Sequence, residues 1–418
     1  MEGTTMSAFF TEYMNYVNLE SSEAPANYHR WACASMLGAL MGRQVSFPFG
    51  SGRLYPNQFV MLMGPPATKK GTAIGIAKKL MEGANYARFA PDRTSKEAFV
   101  KSMKQFDTME EDLEVLTFDA PSESYITSGE FVDFIGQGDI GFLMLLTNLW
   151  DNLDVYEHTK ITGKSITVTK PTVSLLSGST AHTFMLAFPP DAMGTGTLSR
   201  FILVDGDDSG RRVAWPEPLD PLQKEQLIDH MQAIKNELRG DIGITKEAKI
   251  LGAEIYTGRV PVNDERFAHY MGRRHIHLIK LAMLMAVSEY RMEITETDIL
   301  RSNTMLAMAE MKMPKALGEF GASRNSAATD KIMSFLNFRA RMRVPKPANA
   351  QEIYKIVSKD VNTVKDVNDI IHNLKQAERI QVVSMGGITG YLPLNQGAGE
   401  WNLKYLDLDW LTKSERLL

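Results

Sequence analysis

The chain has one cysteine, Cys33, in 418 residues. That excludes an internal disulfide and any cysteine-based metal site, and it suits a reducing compartment. No apolar run reaches the about 18 residues that a membrane span needs, and the N-terminus does not read as a secretory signal. A cytoplasmic protein without membrane contact is therefore expected. Repeats and low-complexity tracts are missing too, which excludes solenoid and fibrous classes. Neither sign of charge dominates: 46 Lys and Arg meet 50 Asp and Glu, for a net charge of −4. What remains is ordinary globular composition, 44% apolar and 23% charged, with 25 methionines that read as core filler. The length suits about two or three domains.

The small net charge hides an uneven distribution. Residues 324–395 carry 11 Lys and Arg against 6 Asp and Glu, whereas residues 1–323 carry 32 against 40. An acidic body with a basic C-terminal module suggests nucleic-acid contact through that module.

The most informative stretch is MLMGPPATKKGTA, residues 61–73, behind the apolar run QFVMLM. It reads as a buried strand, a tight Gly-Pro-Pro turn and a helix start. Loop N–H groups and a helix N-terminus can cradle phosphate there, with a lysine reaching the β and γ groups. The spacing to match is G-x-x-x-x-G-K-[ST]. Gly64 and Lys70 are in place, with Pro65, Pro66, Ala67 and Thr68 between them. Lys69 stands where the second glycine belongs, Gly71 stands where the magnesium-binding hydroxyl belongs, and Thr72 comes one step late. The bland alternative is a plain strand-turn-helix.

Further along, residues 124–127 form a β-rich run ending at Ser128-Gly129-Glu130. In phosphate-loop enzymes the corresponding strand ends in acids, one for magnesium and one that polarises water. Glu130 fits the second role and Gly129 takes the first position; alternatively, Glu130 is an exposed carboxylate at a helix start. Residues 155–169 alternate around Thr162-Gly163-Lys164 as a hairpin. Residues 172–180 form a buried strand with a polar end, and Arg200 immediately precedes the strand 201–204. Helices are expected at 94–106, 221–238, 264–289 and 294–320. GASRNSAATD, from Gly321, is the best linker in the chain. Beyond it, three helices and a hairpin turning at Gly386-Gly387 read as a winged helix-turn-helix. Its recognition helix offers Lys365, Asn368, His372 and Lys375, with Asp366 and Asp369 opposing tight phosphate contact.

This ordered set resembles the ring-forming AAA+ ATPases of DNA replication, in particular helicases of the minichromosome-maintenance type. It also resembles replication ATPases of phages and mobile elements, whose N-terminal block is echoed by Tyr28-His-Arg-Trp through GRQVSFPFGSGRLYPNQFVMLMGPP. The likeness spans roughly residues 20–395. It implies an α/β fold: a P-loop NTPase core of AAA+/RecA-like type, a helical lid and a C-terminal winged helix. The expected divisions are 1–45, an N-terminal helical segment; 46–210, the core; 211–322, the lid; 323–395, the winged helix; and 396–418, a tail that is either a docking peptide for replication proteins or a last packed element.

The resemblance further implies ATP and Mg2+ as cofactors. Lys70 would contact the phosphates, with Thr72 or Gly71 at the metal. Glu130 would polarise water, Ser179 or Thr180 would be a polar sensor, and Arg200 an arginine finger offered to a neighbouring subunit. Arg273 or Arg274 would be a second sensor, with Arg274 preferred. Lys160 and Lys164 on the hairpin would touch DNA phosphates. Each cation has a plainer reading: Arg200 pairs with an acid of the 205–208 loop, Lys164 is a solvated tip lysine, and Arg273 and Arg274 open a solvated helix. The implied function is a DNA helicase or helicase-like ATPase, a hexameric ring on single-stranded or forked DNA in a host cytoplasm. The alternatives are a helicase loader or initiator, and a degenerate DNA-binding scaffold.

Overall fold

The computed structural model describes residues 9–17, 22–108, 120–158, 165–189, 192, 196–206, 209–262, 264–317, 326–340, 346–358, 361, 363–376, 380–385, 388–393 and 402–411. The chain divides into two compact units, Met1–Leu317 with Leu403–Leu418, and Gly318–Asn402.

In the first unit the chain runs through α1 (Phe9–Tyr16), α2 (Ala26–Met41), β1 (Val45–Phe49), β2 (Gly52–Leu54), β3 (Phe59–Met63), α3 (Lys70–Gly83) and α4 (Lys96–Thr108). Next come β4 (Glu123–Ser128), α5 (Phe131–Ile135), α6 (Ile140–Trp150), β5 (Val155–His158), β6 (Ile166–Thr169), β7 (Thr172–Ser179), α7 (Ala181–Ala187) and β8 (Phe201–Asp205). A helical part follows: α8 (Pro221–Glu237), β9 (Gly240–Asp241), β10 (Gly243–Ile244), α9 (Lys246–Thr257), α10 (Ala268–Ser288), β11 (Glu293–Ile294), α11 (Glu296–Glu310) and α12 (Met313–Leu317).

The centre is a four-stranded, all-parallel sheet in the order β4-β7-β3-β8, flanked by helices. FVMLM of β3 and TVSLLSGS of β7 are buried along their whole length. Strands covered on both faces read as continuous apolar or small-residue runs rather than as alternating ones. This is an α/β core compatible with a Rossmann-like or P-loop fold. From β3 the chain crosses to the outer strand β4, returns through β7, then passes to β8 on the other side. Met63 is level with both Ser179 and Asp205, and Ser128 with Ser177, so the carboxyl ends gather at one edge. In open parallel sheets that edge, where strand order reverses, is where ligands bind.

Beneath the sheet, α2 is buried almost throughout, and its Ser35 hydroxyl donates to Leu175 O at 3.0 Å. The helix expected over 294–320 is instead two, α11 and α12. Pro314 lacks an N–H and its ring clashes with the carbonyl four residues back, so it suits a first turn and not a helix interior. The helices α7 and α9 fall in stretches where the sequence reading placed none.

The second unit contains α13 (Ser326–Ala340), α14 (Ala350–Val357), α15 (Val364–Gln376) and the antiparallel pair β12 (Ile380–Met385) and β13 (Ile388–Pro393). Ile332, Leu336, Ile353, Ile370 and Leu374 form its core, and Asn349 and Glu352 cap α14 reciprocally. The expected hairpin turn at Gly386-Gly387 lies outside the described residues.

Candidate phosphate-loop site

The turn from β3 into α3 is compact because glycine and tyrosine are matched there. A Cβ on Gly64 would lie 2.5 Å from the Tyr28 hydroxyl and 3.0 Å from Thr68 Oγ1. Gly206, at the end of β8, would drive a Cβ into the same tyrosine ring at 2.3 Å. The Tyr28 hydroxyl in turn donates to Met63 O, which ties α2 to the loop strand.

Two residues of the turn are left-handed without being glycine, Ala67 at φ 68° and Lys69 at φ 63°. Lys69 thus occupies, with a side chain, the conformation that the motif's second glycine adopts without strain. Its ammonium does not occlude the turn but pairs with Glu23 at 3.1 Å. Glu23 Oε1 also accepts from Val213 N at 2.9 Å. That hydrogen bond and the lysine hold the Glu23 carboxyl below its usual range.

Lys70 is buried at the start of α3. Its Nζ donates to Gly64 O at 2.8 Å and Pro65 O at 2.9 Å, and lies 3.4 Å from Thr68 Oγ1. Burial lowers its pKa and the nearby Glu130 carboxylate opposes that shift. No side chain caps α3, and Gly71 and Thr72 are exposed in its first turn. Pro65, Pro66 and Ala67 are exposed as well. Pro65 and Pro66 have no N–H to offer and Thr72 N already donates to Lys69 O, so what the turn holds for an anion is the buried Lys70 ammonium and the uncapped N-terminus of α3.

Glu130 sits beyond the tip of β4, two strands from β3, and is half-buried at the N-terminus of α5. Its Oε2 accepts from Thr183 Oγ1 at 3.0 Å. Thr183 Oγ1 is also 2.9 Å from Ser179 Oγ and 3.0 Å from Thr180 Oγ1, in the capping box of α7. Ser179 O accepts from Gly64 N at 3.3 Å. Lys70, Glu130, Ser179 and Thr180 are thereby brought together at one edge. Thr183, which orients the carboxylate, was missed by the sequence reading; the Thr-x-x-Thr spacing of the cap is the signal that marks it.

The arginines lie elsewhere. Arg200 is 6% exposed, pairs with Asp151 through both Nε and Nη2, and donates from Nη1 to Gly196 O at 2.9 Å. Its acid is thus Asp151 at the end of α6, rather than one from the loop after β8. Arg273 reaches the same Asp151 at 3.5 Å, and Lys280 lies 3.7 Å over the Trp150 ring. Arg274 is 2% exposed and donates to Glu310 at 2.8 Å and Asn303 at 2.9 Å. It serves the packing of α10 on α11, and the expectation of a solvated helix start does not hold for it. Lys160 and Lys164 lie outside the described residues; the strands on either side of them in sequence, β5 and β6, pair as expected. Lys365 and Lys375 are exposed on α15.

Among the described residues no cluster of three or more His, Cys, Asp or Glu is placed to hold a metal ion, and no helix is long and apolar enough to cross a membrane. Neither a family model nor a curated protein matches the chain.

Proposed function

We propose that the chain binds a nucleoside triphosphate at the Gly64–Thr72 turn and works as a DNA-replication ATPase of the AAA+/RecA-like P-loop class. Its working form is a helicase-like ring, a hexamer. The observation that carries the reading is the buried Lys70 ammonium inside the turn, with the Glu130 carboxylate across the same sheet edge. The strand order supports it: β4, whose tip leads to Glu130, is separated from the loop strand β3 by β7 alone, which brings the carboxylate to the same sheet edge as Lys70.

Lys70 would exchange the Gly64 and Pro65 carbonyls for phosphate oxygens. Glu130, held by Thr183, would orient the attacking water and accept its proton. Magnesium is served less well: Thr72 offers an exposed hydroxyl at the right end of α3, but Gly71 and Gly129 offer no ligand. When bound, the ion would neutralise phosphate charge, and Thr72 with water would hold it. Arg200 would serve a neighbouring subunit's nucleotide only once Asp151 is drawn aside. In the second unit, the three helices and hairpin fit a winged helix, with Lys365 and Lys375 on its exposed face for DNA phosphates. The glycines at both metal positions favour a second reading, a nucleotide-binding scaffold or loader with slow turnover.

Phosphate release measured on the full chain, with ATP, Mg2+ and single-stranded DNA, tests the reading. Lys70→Ala is expected to abolish both nucleotide binding and release. Glu130→Gln is expected to keep binding and lose release at least 100-fold, as removal of a positioned base does. Turnover undiminished in Lys70→Ala would overturn the proposal.

A further inference from the structure

Trp215 is 91% exposed, while Trp31 and Trp150 are each 2% exposed and Trp410 is half-buried against Phe10 and Arg30. An indole ring left in water forgoes a large apolar burial, and this one is carried on a segment tied through Glu23 to the candidate anion cradle. The segment that carries it is firmly placed. Ser209 Oγ donates to Glu23 O at 2.7 Å, Arg211 Nε to Ser22 O at 2.6 Å, and Arg211 Nη2 to Ala24 O at 2.8 Å. Val213 N then donates to Glu23, the same carboxylate that Lys69 of the turn grips. Trp215 follows two residues later, within about 7 Å of chain from that anchor. Pro216 confines the backbone at Trp215 to extended conformations. Its stem is thus tied through Glu23 to Lys69 of the turn, and the ring, being exposed, has no packing to break before it meets a ligand.

We propose that Trp215 stacks on the base of the nucleotide whose phosphates occupy the Gly64–Thr72 turn, an assignment that rests on the nucleotide reading of that turn. Every base has a π-face, so stacking adds affinity for nucleoside triphosphates over bare phosphate chains with little choice among bases. Glu23 links the two halves of the site: one oxygen holds the phosphate-loop lysine and the other holds the stem of the base-binding ring.

Calorimetric titration of the full chain with ATP and, separately, with inorganic tripolyphosphate separates the two ideas. Trp215→Ala is expected to weaken ATP binding about tenfold or more, to leave tripolyphosphate affinity unchanged, and to be largely rescued in Trp215→Phe. The ring is exposed, so neither substitution removes a packed contact. Equal ATP affinity in wild type and Trp215→Ala overturns the stacking role while Lys70-dependent tripolyphosphate binding still stands. Loss confined to oligo-dT binding, or a change confined to sedimentation, would assign the ring to a DNA base or to a second copy of the chain, and also overturns it. If the wild-type chain binds neither ligand, or Lys70→Ala binds both as well as wild type, the phosphate-loop reading falls and the stacking role falls with it.

Discussion

Lys69 offers a direct test of how the turn is built. It holds φ 63° at a position where a glycine would be unstrained. The left-handed conformation costs an ordinary L-residue about 1–2 kcal/mol, and glycine returns about 0.5–1 kcal/mol of that through its freer unfolded chain. Lys69→Gly should therefore be more stable than Lys69→Ala by about 0.5–1 kcal/mol. The Glu23 pair is lost in both variants and cancels from the comparison. Lys69→Asn should fall between them, because asparagine tolerates this region, and Lys69→Val should be the least stable, because β-branching makes it worst. For a unit of this length, about 2.1 cal/mol/K per residue converts each kcal/mol into about 1.5 °C of melting temperature. Differential scanning calorimetry on the four variants should give the order Gly, Asn, Ala, Val from most to least stable. A flat series, or valine at the top, would refute the claim that the backbone at Lys69 is strained in the folded chain.

Two further outcomes are expected. His277 is buried, donates from Nε2 to Ser199 O at 2.9 Å, and is pushed down to about 3 by burial. Its folded pKa lies below its unfolded one, so its contribution is complete above about pH 6.5 and is lost as pH falls toward 3. Against His277→Gln, which bears no titratable ring, the wild type should lose about 2 kcal/mol by pH 5 in urea titrations, whereas parallel pH profiles would contradict the buried neutral ring. Arg274→Ala leaves Glu310 buried and uncompensated, so it should cost about 3–5 kcal/mol of stability by the same titration. A variant of unchanged stability that loses nucleotide binding instead would restore Arg274 to the sensor role.

The parts of the fold legible in the sequence are those written in local chemistry. FVMLM and TVSLLSGS declare buried strands by composition, and Lys70 declares itself by its distance from Gly64. The left-handed backbone at Lys69 was not legible, because lysine has no preference for it and only the tertiary turn enforces it. Asp151 was hidden for another reason: it meets Arg200 across 49 residues, and sequence proximity favoured the acids after β8. Arg274 was legible in principle. It lies four and seven residues before the buried Leu278 and Leu281, so helical spacing alone places it on the inner face of α10. Tyr28 reached notice only as a letter in a resembling block, whereas the clashes at Gly64 and Gly206 give it a physical task.

The outer strand β8 leaves the backbone almost no contact with water. Phe201 through Asp205 are at most 5% exposed, a measure that includes their peptide groups. An edge strand normally advertises a row of unpaired donors and acceptors to any passing chain. Here that row is sealed, so copies of the protein cannot associate by lengthening the central sheet on this side. Any assembly through this region would have to proceed by side chains and loops rather than by backbone pairing.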